Sequence, residues 1–347
     1  MGIIFMHFQD KNNKFKVVLS VGDESGIGPE IILKALYSNE IPKNIDFILV
    51  GSKKNLQKTY THLKNLGLKN IANPNNFQIH DIEISSSDNE SKTSYGNSSF
   101  NYLINAIEIV KRYPNSALVT GPICKKSWSL AGHDFSGQTE VLAKSCGSKN
   151  VGMLFTAKSP ITGWRFNTLL ATTHIALCEV PKLLNMELIH SKLDLFKEFC
   201  STYIEKPTLK VAGLNPHAGE EGILGTEEKD WLNDALIAWN KKNRDIKLLG
   251  PLSPDSCWNS SAKAWREKDA ETHDGILAMY HDQVYTNEVI ALNYSVIPHS
   301  LPFIRTSPDH GTGFDIAGKG IAQSQSMIEA IKTAVEMTKN SRLLNTH

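Results

Sequence analysis

An α/β fold is predicted for this chain of 347 residues. Short apolar runs that read as buried strands alternate with helical segments along its whole length. Three of the runs end at a histidine, and one of these is stopped by Asn215, Pro216 and Gly219. The length allows two domains, or one large unit with two lobes.

In chain order, residues 1–13 read as a loose leader. Their apolar patch is too short for a signal peptide, and Met6 stands where a myristoylation signal has Ser or Thr. Residues 16–22 form the first strand. The turn after them, Asp23-Glu-Ser-Gly-Ile-Gly-Pro-Glu30, opens a helix reaching about Leu36, with Pro29 in its first turn, where a missing N–H is harmless. Its glycines suit an anion-binding helix start or simply a tight turn. The spacing is not Gly-x-Gly-x-x-Gly, and no acid closes a Rossmann unit. Residues 46–51 are a strand and 56–66 a helix. Residues 85–99, rich in Ser, Asn and charge, read as an exposed loop. Phe100, Leu103, Ile104, Ile107 and Val110 make one helical stripe. A strand at 117–120 turns at Gly121-Pro122, with Lys125 and Lys126 beyond. Further strands are read at 152–156, 168–173, 209–214, 246–249 and 275–279. Helices are read at 181–184, 193–203 and 231–239. A glycine-rich turn, Asp309 to Gly320, leads into a long helix over 322–340.

Composition narrows the function. Hydrophobic content of 41% and charged content of 21% are those of a globular protein. Lys+Arg is 37 against Asp+Glu 36, a net charge of +1, so neither nucleic acid nor an anionic membrane is favoured as partner. The five cysteines are scattered and form no Cys-x-x-Cys pair, which argues against a disulfide framework and for a reducing, cytoplasmic compartment. No apolar run approaches the ~18 residues of a membrane span.

The strand-end histidines are His174, His217 and His281. One such histidine is more often a satisfied surface or core residue. Three in the same context are a candidate metal site, with positions left open for substrate. Imidazole ligands favour zinc or cobalt, with magnesium less suited. Glu220, Glu221, Asp255 and Asp282 lie close in sequence, as ligand-orienting groups or as ordinary turn residues. There is no His-Glu-x-x-His and no Gly-x-Ser-x-Gly. Arg305 follows a buried run, and its fork suits either a carboxylate or phosphate ligand or a structural ion pair.

Several longer stretches carry a resemblance. They are Gly26-Ile-Gly-Pro-Glu30, Thr120-Gly-Pro-Ile-Cys-Lys125, Gly137-Gln-Thr-Glu140, Thr172-Thr-His174, Gly213-Leu-Asn-Pro-His-Ala-Gly219, Gly225-Thr-Glu227, Gly250-Pro-Leu252, Ala278-Met-Tyr-His-Asp-Gln283 and Leu301-Pro-Phe-Ile-Arg-Thr-Ser307. In this order, from about Val17 to Thr338, the chain resembles the 4-hydroxythreonine-4-phosphate dehydrogenase family of pyridoxal phosphate biosynthesis. The resemblance implies an isocitrate/isopropylmalate dehydrogenase-like α/β fold of two lobes, 14–136 with 307–342 and 137–306. The active site would lie in the inter-lobe cleft at a homodimer interface. It implies a divalent metal on His174, His217 and His281, and substrate contacts at Gln138, Thr139 and Arg305. Many members have histidine where Gln138 stands, and Gln can donate a hydrogen bond but cannot titrate near neutrality. Lys125 and Asp255 are candidate catalytic residues. The Asp309–Gly320 stretch is similar to the adenosine-binding loop of isopropylmalate dehydrogenases, which implies NAD or NADP near His310, Gly311, Thr312 and Asp315. The implied reaction oxidises and decarboxylates 4-phosphooxy-L-threonine to 3-amino-2-oxopropyl phosphate. Erythronate or threonate 4-phosphate are alternative substrates. A metal-dependent hydrolase or a catalytically weakened member are alternative readings.

The chain departs from the family pattern in two places. Val284-Tyr-Thr-Asn-Glu288 and Ile297-Pro-His-Ser300 each stand about one residue short, where members carry a substrate-binding lysine and asparagine. Two short compensated frameshifts would produce both segments, and the expectation is a weakened substrate pocket with metal binding intact.

Overall fold

The computed structural model describes residues 14–82, 91–148, 151–284, 295–298 and 301–345. The leader, residues 285–288 and 299–300 of the two departing segments, and residues 85–90 of the expected loop therefore lie outside the described residues. One eleven-stranded sheet runs through the molecule in the order β3-β2-β1-β4-β11-β10-β5-β6-β9-β7-β8. Its strands are β1 (Phe15–Ser20), β2 (Ile45–Gly51), β3 (Gln78–Asp81), β4 (Ser116–Thr120), β5 (Met153–Lys158) and β6 (Arg165–Leu170). Then come β7 (Thr208–Ala212), β8 (Lys247–Leu252), β9 (Gly275–Ala278), β10 (Ser295–Pro298) and β11 (Ile304–Pro308).

Strand direction sets where the site lies. β1, β2, β3, β4 and β11 are mutually parallel, and so are β6, β9, β7 and β8. Between the groups, β10 is antiparallel to β11 and to β5, and β5 is antiparallel to β6. The two parallel groups thus run in opposite directions, with β10 and β5 as the seam. Parallel strands covered on both faces should be apolar throughout, and all positions of β4, β6 and β9 are buried.

The helices are α1 (Gly28–Tyr37), α2 (Lys53–Asn65), α3 (Lys92–Arg112), α4 (Lys125–Leu130), α5 (Gln138–Cys146), α6 (Val180–Leu183), α7 (Met186–Ser201), α8 (Asn233–Lys242), α9 (Asn259–Arg266) and α10 (Gln325–Asn345). One apolar cluster gathers β1, β2 and β4 with α1, α3 and α10. Two others gather the strands from β5 to β9, with α7 and α8 on one side and Trp258 on the other.

The expected loop at 85–99 is corrected from residue 92 onward. Ser91 caps α3 by accepting from the Ser94 amide at 3.1 Å. Ser94, Gly96, Ser98 and Ser99 are buried rather than solvated. Small residues are needed because α4 crosses here. A Cβ on Gly96 would sit 1.9 Å from the Ser127 carbonyl oxygen, and the Trp128 indole donates to Ser99 Oγ at 2.9 Å. Composition alone reads such a stretch as loop, because the same residues serve close packing and turns. Arg305, expected just after a strand, lies within β11. The helices α4, α5 and α9 and the strands β3 and β10 had no clear periodic signal.

Gly96→Ala tests this packing. Alanine has the higher helix propensity, by about 1 kcal/mol, but overpacking against a backbone carbonyl costs about 1–3 kcal/mol. The clash should win, and urea denaturation should show a net loss of stability. A gain of about 1 kcal/mol would mean that α3 and α4 do not approach as described.

Candidate active site

A cavity of about 500 Å³ lies at the seam. Its floor is the sheet face presented by Arg305 and Ser307 of β11 and by Met153 and Phe155 of β5. Alternate residues of a strand share a face, so each pair points the same way. One wall is the turn after β4, from Gly121 to Lys125, with the start of α5 at Gln138 and Thr139. The opposite wall carries His174 and His281, and Asp309, His310 and Gly311 close one end. Eight expected site residues therefore meet here: Lys125, Gln138, Thr139, His174, His281, Arg305, His310 and Gly311.

Arg305 is 3% exposed. Its Nε and Nη2 donate to Thr120 Oγ1, the former at 3.1 Å, and Nη2 also donates to Gln138 Oε1 at 3.2 Å. Gln138 is itself fixed by donating to the Gly121 carbonyl at 3.0 Å. Among the described residues no carboxylate pairs with Arg305, and neutral side chains hold it. Burial pushes the guanidinium down to about 9, and it stays protonated at neutral pH. A buried cation with neutral neighbours on a cavity floor has the charge and geometry to take an anion. The start of α5, without a side-chain cap, adds unpaired N–H groups on the same side.

The histidine wall follows from topology. β6, β9 and β7 are adjacent and parallel, so the turns carrying His174, His281 and His217 leave the sheet at one edge. Side chains lace the turns together. Thr172 Oγ1 donates to the Met279 carbonyl at 2.7 Å. Gln283 accepts from the Met279 amide and donates to the Gly213 carbonyl, both at 2.7 Å. The His174 and His281 rings lie 5.3 Å apart between centroids. Desolvation, then the charges of Lys125 and His281, hold His174 below the usual imidazole range, leaving it neutral with a lone pair to offer a metal.

His217 is placed differently. It pairs with Asp255, Nδ1 to Oδ2 at 3.5 Å, and both side chains are mostly exposed. A bond from Ser253, before the charge of His217, holds the Asp255 carboxyl below its usual range. His217, Ala218, Glu220 and Glu221 all have positive φ, between 42° and 57°, each at a cost on the order of 1 kcal/mol. The preceding turn is held by buried Glu228, which accepts from the Leu214 and Asn215 amides at 2.7 and 2.8 Å. Among the described residues of one chain, no three His, Cys, Asp or Glu side chains come close enough to hold a metal. The chain thus brings two of the three histidines together and sets His217 and Asp255 apart.

Along the expected cofactor loop, His310 Nδ1 lies 3.0 Å from the Gly311 carbonyl, and its Nε2 is buried without a partner among the described residues. The loop then turns away from the cavity. The Thr312 carbonyl accepts from the Ile27 amide at 2.8 Å, and Asp315 is exposed. Sequence reasoning missed three residues. Thr120 holds Arg305, Glu228 braces the His217 turn, and Lys192 of α7 lines the cavity. For Lys192 the signal was present, as a lysine beside the apolar stripe Ile189, Leu193 and Phe196.

An α/β sheet with a cation on the floor of its cavity and paired imidazoles on one wall defines a protein that handles small anionic molecules. The chain belongs to the pyridoxal phosphate biosynthetic protein PdxA family, whose model matches residues 43–334. It is 44% identical over 328 residues to a 4-hydroxythreonine-4-phosphate dehydrogenase of Synechococcus sp. (strain RCC307), covering 93% of this chain and 99% of that one. It is 42% identical to the protein of that name from Synechocystis sp., covering 93% of this chain and 96% of the relative. The crystal structure of 4-hydroxythreonine-4-phosphate dehydrogenase from Klebsiella pneumoniae superposes with a TM-score of 0.78 at 28% identity, covering 94% of this chain and 98% of that one.

Two substitutions test the description of Arg305. Thr120→Val removes its main acceptor and should destabilise the protein by about 1–3 kcal/mol. Arg305→Met in a chloride buffer should leave stability within about 1 kcal/mol or raise it, because a buried charge without a counter-ion is removed. A loss above about 3 kcal/mol in the second variant would indicate a carboxylate partner.

Proposed function

We propose that this chain catalyses the NAD(P)-linked oxidation and decarboxylation of 4-phosphooxy-L-threonine to 3-amino-2-oxopropyl phosphate. Membership of the family supports the reaction class, and the unpaired Arg305 at a cavity flanked by His174 and His281 is the observation that carries the assignment to this site. In this reading Arg305, held by Thr120 and Gln138, binds an anionic group of the substrate, with Thr139 at the helix start beside it. Lys125 lines the cavity near His174 and is our candidate to carry the proton leaving the 3-hydroxyl. His310 and Gly311 lead from the cavity towards Thr312 and Asp315, and this loop would receive NAD or NADP.

The imidazoles of His174 and His281 suit a divalent cation such as zinc or cobalt. When bound, such an ion supplies Lewis acidity towards the hydroxyl and ketone oxygens. His217 and Asp255 would complete the site from a second copy of the chain, in a homodimer of two-lobed protomers of the isocitrate dehydrogenase-like kind, with the site between the lobes. Their exposure supports this. So do the exposed apolar side chains Ile175, Leu177, Leu183, Ile223 and Leu224 in the segments following His174 and His217. The separate apolar clusters on either side of the seam support the two-lobed division. No helix among the described residues is long and apolar enough to cross a membrane, and all five cysteines are free.

The test is NADH or NADPH formation by the purified protein with zinc, cobalt or magnesium, on 4-phosphooxy-L-threonine and on erythronate and threonate 4-phosphates. Turnover on the first should be lost with a chelator and return with metal. His217→Ala should lower metal content and abolish turnover in a folded protein. Full activity after verified metal removal would contradict the metal's role. Turnover on another acid phosphate alone would reassign the substrate, and phosphate release without cofactor would make the protein a hydrolase.

A further inference from the structure

The cavity has a third cationic residue, which the reading above does not use. Lys192 projects from α7 beside the buried stripe of that helix and lines the cavity with Arg305 and Lys125. Its ammonium donates to the Val151 carbonyl at 2.8 Å, just ahead of β5. That is its one bond among the described residues, so two of its three N–H donors have no protein partner there. Among the described residues no carboxylate forms an ion pair with it. Of the acids lining the cavity, Glu140 is taken up by the Ser136 amide and hydroxyl at 2.7 and 2.9 Å, and Asp309 lies at the far end with His310. Burial also pushes Lys192 below the usual lysine range. A partly buried ammonium held by one carbonyl is a poor structural device, because desolvation is not offset by a counter-charge.

Position gives it a role. Arg305 stands on β11, and Val151 leads into β5, with β10 between them. Next-nearest strands are roughly 10 Å apart. Arg305 and Lys192 therefore mark two ends of the cavity, with Met153 and Phe155 on the floor between. No lysine or arginine occurs between His281 and Leu301.

We propose that Lys192 is a specificity-determining residue that binds the second anionic end of the substrate, opposite the end held by Arg305. The cavity then selects small acids with an anion at both ends, a carboxylate and a phosphate ester, over those with one. The proposal rests on the functional reading above but concerns binding, which can be measured separately.

The experiment compares wild type, Lys192→Met and Lys192→Arg. Methionine keeps the apolar stem and removes the charge. With 4-phosphooxy-L-threonine, Lys192→Met should raise KM about 10- to 100-fold with kcat little changed, and Lys192→Arg should recover most of the loss. Calorimetric binding of the same compound should weaken by a similar factor. Unchanged KM and affinity in Lys192→Met, with active wild type, would overturn the proposal and leave the functional reading intact. If the wild type proves inactive on every acid phosphate, the functional reading fails. The calorimetry still decides for Lys192, equal affinity in both proteins overturning its role and weakened affinity supporting it.

Discussion

The Arg305 guanidinium is charged, buried and held by two neutral side chains, and the site is arranged around that charge. It lies where two parallel groups of strands that run in opposite directions are joined by β10 and β5. A threonine at the end of β4 and a glutamine at the start of α5 supply its acceptors, so the first parallel group and the helix after it meet through this residue. A carboxylate in place of Thr120 or Gln138 would satisfy the charge internally and leave nothing for a ligand. Neutral acceptors orient the fork and leave its charge to be met by an anion from solution.

The other wall depends on strand adjacency. Three histidines separated by 43 and 64 residues in sequence (174 to 217, 217 to 281) leave one sheet edge because β6, β9 and β7 are neighbours. Thr172 and Gln283 then bond the turns to each other, so that moving one shifts the next. His174 and His281 come out paired. The left-handed turn after Asn215, braced by Glu228, carries His217 away from them to the surface beside Asp255. A strained, exposed and internally braced histidine accords with the proposal that it serves a site on another copy of the chain.

Much of this was legible in the sequence. Apolar runs ending at a histidine gave the strands that carry the metal candidates, because buried parallel strands lack alternation. The motif stretches named some of the residues that line the cavity, among them Lys125, Gln138, Thr139, His174, His281 and Arg305. What was not legible depends on long-range contact. Ser and Gly in the first turns of α3 read as loop until α4 is laid across them. Thr120 reads as the end of a strand, and only the return of β11 beside β4, some 185 positions later, makes it the acceptor for Arg305. Lys192 reads as one more helix lysine until the segment before β5 is brought under it. The opposed directions of the two strand groups have no local signature, since they follow from the insertion of β10 between β11 and β5.

The central claim is that Arg305 awaits an external anion, and thermal unfolding in matched salts tests it most directly. At constant ionic strength, replacing chloride by a few millimolar phosphate should raise Tm progressively, as expected for a ligand that binds only the folded state. Arg305→Met should lose that response. Equal Tm in phosphate and chloride, or the same phosphate response in Arg305→Met, would contradict the account.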